Sequence, residues 1–348
     1  MKRTFIILLV LFASLSFLSF AVSNDKQYKK ILEKHDVPPE ANIIVTDNPS
    51  DYWMALLNRN DLIEKFLKDM QKMKGAEKEA LQKYNDIPKF YAKYEPSICE
   101  EFQGFCDTLL MDMGISELGY KCSLHVVYSD EVNAFTALTD DAGFAMCITT
   151  GFITKKGCTY DFIMAAIAHE FAHGIFFHHL QSLYAEAKAR RKNELIGGIA
   201  MGLEVVAAGA GAYASGITGQ EYDYENTRRS IDKIGQDIKI ETKKFSYAFS
   251  REQEYEADIV AYRFMKSIEK EDVYIELLKF LGSEYDFLYN EYSEHPTITS
   301  RIGLIEYMRA HPESYNKEIE KLRKQKEEDE KKKRNEERNL ENSLDDIY

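Results

Sequence analysis

Hydrophobic side chains recur every three or four positions through much of residues 25–120, and this spacing predicts helices. From Cys122 to Tyr128 apolar and polar residues alternate instead, which predicts a strand. A turn at 139–143 follows, and the strand pattern resumes from Phe144 to Ile153, so we expect a small hairpin-like sheet. A long helical stretch then runs from Asp161 to about Glu186. The pattern predicts a mainly helical α+β fold with a small β-sheet.

The first 23 residues have the pattern of a secretory signal. Lys2 and Arg3 form a basic start, Phe5–Phe20 is apolar apart from three serines, and Ala21–Ser23 offers a cleavage site of small residues. The apolar run is about sixteen residues, short for a bilayer span of about twenty. We predict a cleaved signal peptide at 1–23 and an exported protein, periplasmic or extracellular. An uncleaved N-terminal anchor is the alternative.

The rest of the chain divides into an N-terminal helical region at 24–88, a main domain at 89–310 and a charged tail at 311–348. The main domain contains a Gly/Ala-rich insertion at 195–219, with seven of the chain's 18 glycines from Gly197 onward. Glu204 lies inside this insertion, and a charged group is costly at the centre of a bilayer. We therefore favour a small-residue helix packed on the body, with peripheral membrane contact through 195–219 as the alternative.

Composition narrows the function. The formal net charge is −13, whereas a nucleic-acid binder needs a basic face to neutralise phosphates. We therefore expect no nucleic-acid partner. The five cysteines include no CxxC pair, which argues against a zinc ribbon and against a dense disulfide framework.

The strongest chemical signal is His169-Glu170-Phe171-Ala172-His173, an HExxH motif inside an apolar helical stretch. Residues four apart lie on one face of a helix, so His169 and His173 can both bind one ion. Glu170 is offset from them and can act as general base on a water that the metal activates. The motif predicts one Zn²⁺ per chain.

Two candidates exist for a third protein ligand. His179 has the spacing of an HExxHxxGxxH site, but that arrangement needs Gly where this chain has Phe176. In a helix that continues through Phe176, His179 would lie too far along the axis to bind the same ion. Glu254 is the better candidate, because it lies one helical turn before Asp258 and an apolar stretch follows. A Glu on a second helix completes a two-His-one-Glu zinc site, and Asp258 can accept an N–H from a ligand histidine.

Five segments in this order resemble a known family: Val132–Phe135, Ile148–Gly151, the HExxH motif, Ser250–Asp258 and His295–Ile302. Together they are similar to the zinc metallopeptidases of the HtpX, Oma and CAAX-prenyl-protease type, which are gluzincins, and most of all to its exported BepA- and LoiP-like members. The resemblance covers about residues 90–310. It implies an HExxH zincin-type metallopeptidase domain, with the small β-sheet beside the catalytic helix.

Carried over by position, the resemblance also implies residue roles. It implies that the strand formed by Asn133, Ala134 and Phe135 holds the substrate. It implies Glu170 as the catalytic base and makes His295 a second catalytic candidate, with a residue that only ends a loop before a helix as the alternative interpretation of His295. Such a hydrolase needs a donor for the oxyanion, and His295 before Pro296 is the best candidate; the same imidazole could instead block the metal and keep the enzyme latent. The implied metal-site residues are the ligands His169, His173 and Glu254, with Asp258 holding a ligand histidine.

We therefore predict an exported zinc metalloendopeptidase that hydrolyses peptide bonds in misfolded or unassembled envelope proteins. Its partners would be unfolded polypeptides, and its role protein quality control. The alternative from another class is a chaperone-like or binding envelope protein with a structural zinc site. The sequence does not indicate an oligomeric state.

Overall fold

The computed structural model of the 348-residue chain describes residues 25–35, 46–57, 68–72, 78, 95–139, 143–218, 224–282, 286–291, 293 and 295–311. The predicted signal at 1–23 lies outside the described residues, as do residues 312–348 of the predicted tail and much of the N-terminal region at 24–88. The described residues divide into two compact units, one within residues 31–302 and one that combines residues 25–30 with 303–311. In the second unit, the Tyr28 ring lies beside Gly303, 6.1 Å from that of Tyr307.

The described residues are mainly helical, with one small sheet, which confirms the predicted fold class. The helices are α1 (Ser50–Leu57), α2 (Gln103–Asp112), α3 (Thr150–Thr154), α4 (Tyr160–Ile175), α5 (His178–Thr218), α6 (Tyr224–Ser267), α7 (Glu271–Leu281) and α8 (Ile298–Ala310). Residues 25–34 are also helical, and short 3-10 turns lie at Glu95–Ser97, Glu100–Phe102, Ser116–Leu118 and Asp286–Leu288.

The sheet has three strands, β1 (Cys122–Val127), β2 (Ala134–Leu138) and β3 (Phe144–Thr149), in the order β1-β3-β2. β2 pairs with β3 antiparallel, whereas β1, which the alternation pattern predicted as the other strand of a hairpin-like sheet, pairs with β3 in parallel, with Leu124 opposite Met146. The predicted strand to Ile153 was too long. It ends at Thr149, whose hydroxyl accepts a hydrogen bond from the Phe152 N–H and so begins helix α3.

The predicted helix from Asp161 to Glu186 is two helices. α4 ends at Ile175, and Phe177 takes a left-handed conformation with φ of 53° before α5 begins at His178. A non-glycine residue with positive φ is uncommon, so tertiary contacts must hold it. Phe176 and His178 on either side of it are both buried, which explains why the chain turns here instead of continuing.

The Gly/Ala-rich insertion is helical through Thr218 as the second half of α5. α5 runs antiparallel to α6, since the Asn193 side chain donates to Thr242, and Gly197 lies against Ile238. Among the described residues, no helix is both long and apolar enough to cross a membrane.

Aromatic packing holds α4 next to α6. Trp53 of α1 is fully buried, with its ring centroid 4.8 Å from that of Phe171 on α4 and 4.6 Å from that of Phe264 on α6. Its indole N–H donates to the Met113 carbonyl, which satisfies its one polar group. This cluster fixes the spacing of the two helices that carry the HExxH motif and Glu254.

Candidate metal centre

Helix α4 presents the HExxH motif from a buried position. The Thr159 side chain accepts a hydrogen bond from the Phe162 N–H and begins the helix, and Asp161 in the first turn pairs with Lys270 at 2.7 Å. Gly174 allows the motif to lie close to the sheet, because a Cβ at this position would fall 2.2 Å from the Phe144 ring. The histidines therefore sit on a rigid helix that packs directly on β3.

Three donor groups converge from α4 and α6. The Nε2 atoms of His169 and His173 are 3.1 Å apart. Glu254 lies 3.4 Å from each of them, through Oε2 to His169 and through Oε1 to His173. One ligand atom from each residue lies within 4.8 Å of the others, which is the arrangement of a metal site.

The chemistry of these donors fits zinc. Two imidazole nitrogens and one carboxylate oxygen are the ligands of a catalytic Zn²⁺ that keeps a position open for water or substrate. Burial disfavours the charged form of Glu254, but hydrogen bonds with His169 and His173 outweigh it and hold the pKa of Glu254 well below its usual range. The carboxylate is therefore ionised, as a ligand must be.

A buried network supports His169 from behind. Its Nδ1 lies 3.1 Å from Asp258 Oδ1 and 3.1 Å from the Tyr274 hydroxyl, which itself donates to Asp258 at 2.6 Å. Arg301 donates to both carboxylate oxygens of Asp258, at 2.6 Å and 2.9 Å. Burial raises the pKa of Asp258, but the Arg301 charge outweighs this and helps to bring it to about 2. Asp258 thus lies where the sequence predicts it, beside a candidate ligand histidine.

His173 has a different neighbour, His178, the first residue of α5. The two Nδ1 atoms are 2.9 Å apart, and His178 Nε2 lies 3.2 Å from Glu256 Oε2. Burial lowers the pKa of His178 to about 4, against the opposing effect of Glu256, so the imidazole is neutral at pH 7.

Glu170 lies between the histidines and the sheet. The Thr136 hydroxyl is 2.7 Å from the Glu170 carbonyl oxygen and 3.0 Å from its Oε2, and can donate to either. Both residues line a cavity of about 660 Å³ that also contains all three converging donors. The predicted substrate segment, Asn133 to Phe135, forms one wall of the same cavity.

Of the two remaining candidate histidines, His295 contacts the converging donors and His179 does not. His295 Nδ1 lies 3.1 Å from Glu254 Oε2, and its side chain is 66% exposed at the cavity. His179 is not among the converging donors, although the helix does turn at Phe177; its Nε2 lies 2.5 Å from the Thr136 carbonyl oxygen. The expectation that the helix continues past Phe176 was wrong, because the turn keeps Phe176 buried, but it is Glu254 that joins the two histidines.

The model of peptidase family M48 matches residues 103–316. This match covers more than half of the chain and includes every converging donor. The chain belongs to peptidase family M48. The family consists of metallopeptidases, enzymes that hydrolyse peptide bonds, and the match confirms the family that the sequence motifs indicated.

Other comparisons add little to the M48 assignment. No curated protein sequence matches the chain significantly. Among the solved structures, the chain is similar to Ste24p of S. mikatae, with 15% sequence identity over 84% of this chain and a TM-score of 0.34. The match spans 63% of the length of that chain.

The sequence analysis missed several supporting residues. Arg301 was noted only as part of the last motif, and no local pattern indicates its contact with Asp258. Glu256 and His178 were assigned no role. The two lie far apart along the chain, and only their contact in the fold connects them.

Proposed function

We propose that the protein is an exported zinc-dependent endopeptidase that cleaves misfolded or unassembled envelope proteins. The observation that carries the proposal is the convergence of His169, His173 and Glu254 in an open cavity, with Glu170 beside them. A purely structural zinc site has no use for a carboxylate such as Glu170. This residue favours the peptidase over the alternative of a binding protein with a structural metal.

Three residues would hold the zinc: His169, His173 and Glu254. When bound there, zinc supplies Lewis acidity that polarises the scissile carbonyl and makes water easier to deprotonate. Glu170 takes the proton from the attacking water and passes it to the leaving amine. The Thr136 hydroxyl lies 3.0 Å from Glu170 Oε2, and when it donates there it orients the carboxylate for this transfer.

His295 is placed to act on the substrate side. Its Nδ1 is engaged with Glu254, and its exposed ring borders the cavity. Nδ1 must carry a proton to contact the carboxylate, so Nε2–H can donate to the oxyanion that forms when water attacks the carbonyl only when the ring is protonated on both nitrogens. We favour this role over a blocking ligand, because His295 contacts a carboxylate oxygen of the ligand set.

Strand β2 offers backbone groups for an extended substrate. In the described sheet β2 pairs on one side only, with β3, and the Thr149 N–H donates to the Asn133 carbonyl. Backbone groups alternate in direction along a strand, so those of Ala134 point to the open edge. A substrate strand can pair there and bring its scissile bond to the metal. Only unfolded polypeptide can extend in this way, which supports misfolded proteins as the substrate class.

The proposal is tested by the cleavage of casein by the purified chain. We expect cleavage that stops when a zinc chelator is added and resumes with added Zn²⁺. Zinc loading without any cleavage would favour the structural-site alternative. Export is tested separately, by locating the protein after cell fractionation and sequencing its N-terminus, where cleavage after Ser23 is expected.

We also propose peripheral membrane contact through helix α5, on the face where the Gly/Ala-rich insertion begins. Six residues at spacings of three and four lie on this face, and those of its second half are exposed and apolar. Basic residues are attracted to anionic lipid headgroups, and exposed apolar residues beside them can insert into the interface. The six residues are Lys188, Arg191, Lys192, Leu195, Ile196 and Ile199.

Vesicle binding tests this contact. We expect the chain to cosediment with phosphatidylglycerol vesicles, and a Leu195→Glu/Ile196→Glu/Ile199→Glu variant to bind at least about tenfold more weakly, since it loses buried apolar area. Met111→Glu is the matched control, because Met111 is equally exposed on α2. If the chain and the triple variant sediment alike, α5 does not contact the membrane.

A further inference from the structure

The two candidate ligand histidines are supported in different ways. His169 has a carboxylate, Asp258, directly behind its Nδ1. The Nδ1 of His173 instead contacts a second imidazole, that of His178. The His178 ring in turn contacts a carboxylate, Glu256. Glu256 and Asp258 are both on α6, two and four residues after Glu254. One helix thus provides a metal ligand and a carboxylate for each histidine.

The contact of the two Nδ1 atoms, 2.9 Å apart, constrains where the protons lie. Two ring nitrogens can share a hydrogen bond only if one carries a proton and the other does not. If His173 binds a metal through Nε2, its own proton lies on Nδ1 and is donated to His178 Nδ1. His178 must then carry its proton on Nε2, which faces Glu256 Oε2 at 3.2 Å. A single set of tautomers therefore satisfies the hydrogen bonds from His173 through His178 to Glu256, three residues that we call the row.

Further contacts hold His178 and Glu256 of this row in place. His178 is 2% exposed, and its backbone carbonyl accepts a hydrogen bond of 2.9 Å from the Gln253 side chain of α6. Its ring lies against Phe176, with centroids 5.6 Å apart. Glu256 Oε2 also lies 3.3 Å from His35 Nδ1, a second potential donor. The position of the imidazole therefore depends on the turn at Phe177, which sets the start of α5.

We propose that His178 and Glu256 form a positioning pair that fixes the tautomer and the orientation of His173 as a zinc ligand. The inference rests on the proposed zinc site and adds two residues to it. The pair touches neither substrate nor the reacting atoms, and it acts on metal affinity through His173. Hydrogen-bond partners of metal-binding histidines typically change metal affinity about 10- to 100-fold when removed.

Zinc affinity of the purified full chain, measured by competition with a chromophoric chelator, tests the pair. We expect His178→Ala and Glu256→Ala each to weaken zinc binding about 10- to 100-fold. Because both act along one row, the double variant should lose little more than His178→Ala alone. His178→Asn retains an oxygen that can accept from His173 Nδ1–H, and should recover part of the loss. His179→Ala is the control, since His179 contacts a backbone carbonyl and should keep full zinc affinity.

A spectroscopic readout separates positioning from folding. Co²⁺ bound in place of zinc should show a changed visible absorption in His178→Ala, and the unaltered spectrum in His179→Ala. If His178→Ala does not fold when judged by circular dichroism, Glu256→Met keeps the length of the side chain, removes both acceptor oxygens and serves in its place. Unchanged zinc affinity in the folded variants, or losses that simply multiply in the double variant, would overturn the pair. Failure of the unmodified chain to bind zinc would instead refute the proposed function.

Discussion

The Glu170→Gln variant is expected to bind zinc like the unmodified chain and to hydrolyse peptides at least about a hundredfold more slowly, the usual scale for loss of a general base. Glu170 is not among the converging donors, so the metal does not depend on it. Glutamine has the same size and still accepts a hydrogen bond from Thr136, which leaves the local structure in place. What it cannot do is take a proton from water.

This variant is measured by casein cleavage at matched zinc content. Thr136→Val is a useful companion, because it removes the hydroxyl that donates to Glu170 and leaves the carboxylate itself. We expect it to slow cleavage much less than Glu170→Gln does. Cleavage by Glu170→Gln at the unmodified rate would show that another group takes the proton.

The sequence was most informative where the chemistry is local. The HExxH motif predicts its own geometry, because residues four apart on a helix share a face. Glu254 and Asp258 could be proposed from one turn of a second helix, but their meeting with His169 depends on packing around Trp53, which no local pattern contains. The apolar character of α4 and of the part of α6 that follows Glu254 indicated only that both segments are buried.

Tertiary contacts explain the features that the sequence did not indicate. The parallel pairing of β1 with β3 joins strands that are not consecutive, so alternation alone could not reveal it. Phe177 at the turn has a left-handed conformation that is typical of glycine, so its sequence does not indicate the turn. Without that turn His178 would continue along α4 and could not face Glu256. The error in the helix boundary and the omission of His178 therefore have one cause.

The separation of roles within one network also has a physical reason. Arg301 is buried between Asp258 and Glu254, with Nη1 3.7 Å from Glu254 Oε2, and its charge compensates two carboxylates that burial alone would neutralise. The site can therefore keep a ligand carboxylate and a supporting carboxylate ionised four residues apart. On the other side, neutral His178 adds no charge next to His173.

Replacing Glu254 by alanine should produce the opposite pattern to Glu170→Gln, because zinc and activity are expected to disappear together. Glu254 is the one converging donor that α6 supplies, and without it only two imidazoles of one helix remain. Two neutral nitrogens bind zinc far more weakly than a set that includes an anion, and among the described residues no other converging donor would complete the three-ligand site of a catalytic zinc. Removal also leaves an empty space beside Arg301 and His295, while Arg301 keeps its pair with Asp258. Glu254→Gln therefore accompanies it, since the amide fills the space and accepts from His295 but is a poor zinc ligand. Metal content by atomic absorption and casein cleavage, both after removal of excess zinc, decide the outcome.

His179→Ala is the matched histidine control and should keep its zinc. Loss of the metal from His179→Ala, with the metal retained in Glu254→Ala, would mean that the third ligand lies on α5 and that the two-His-one-Glu site is wrong.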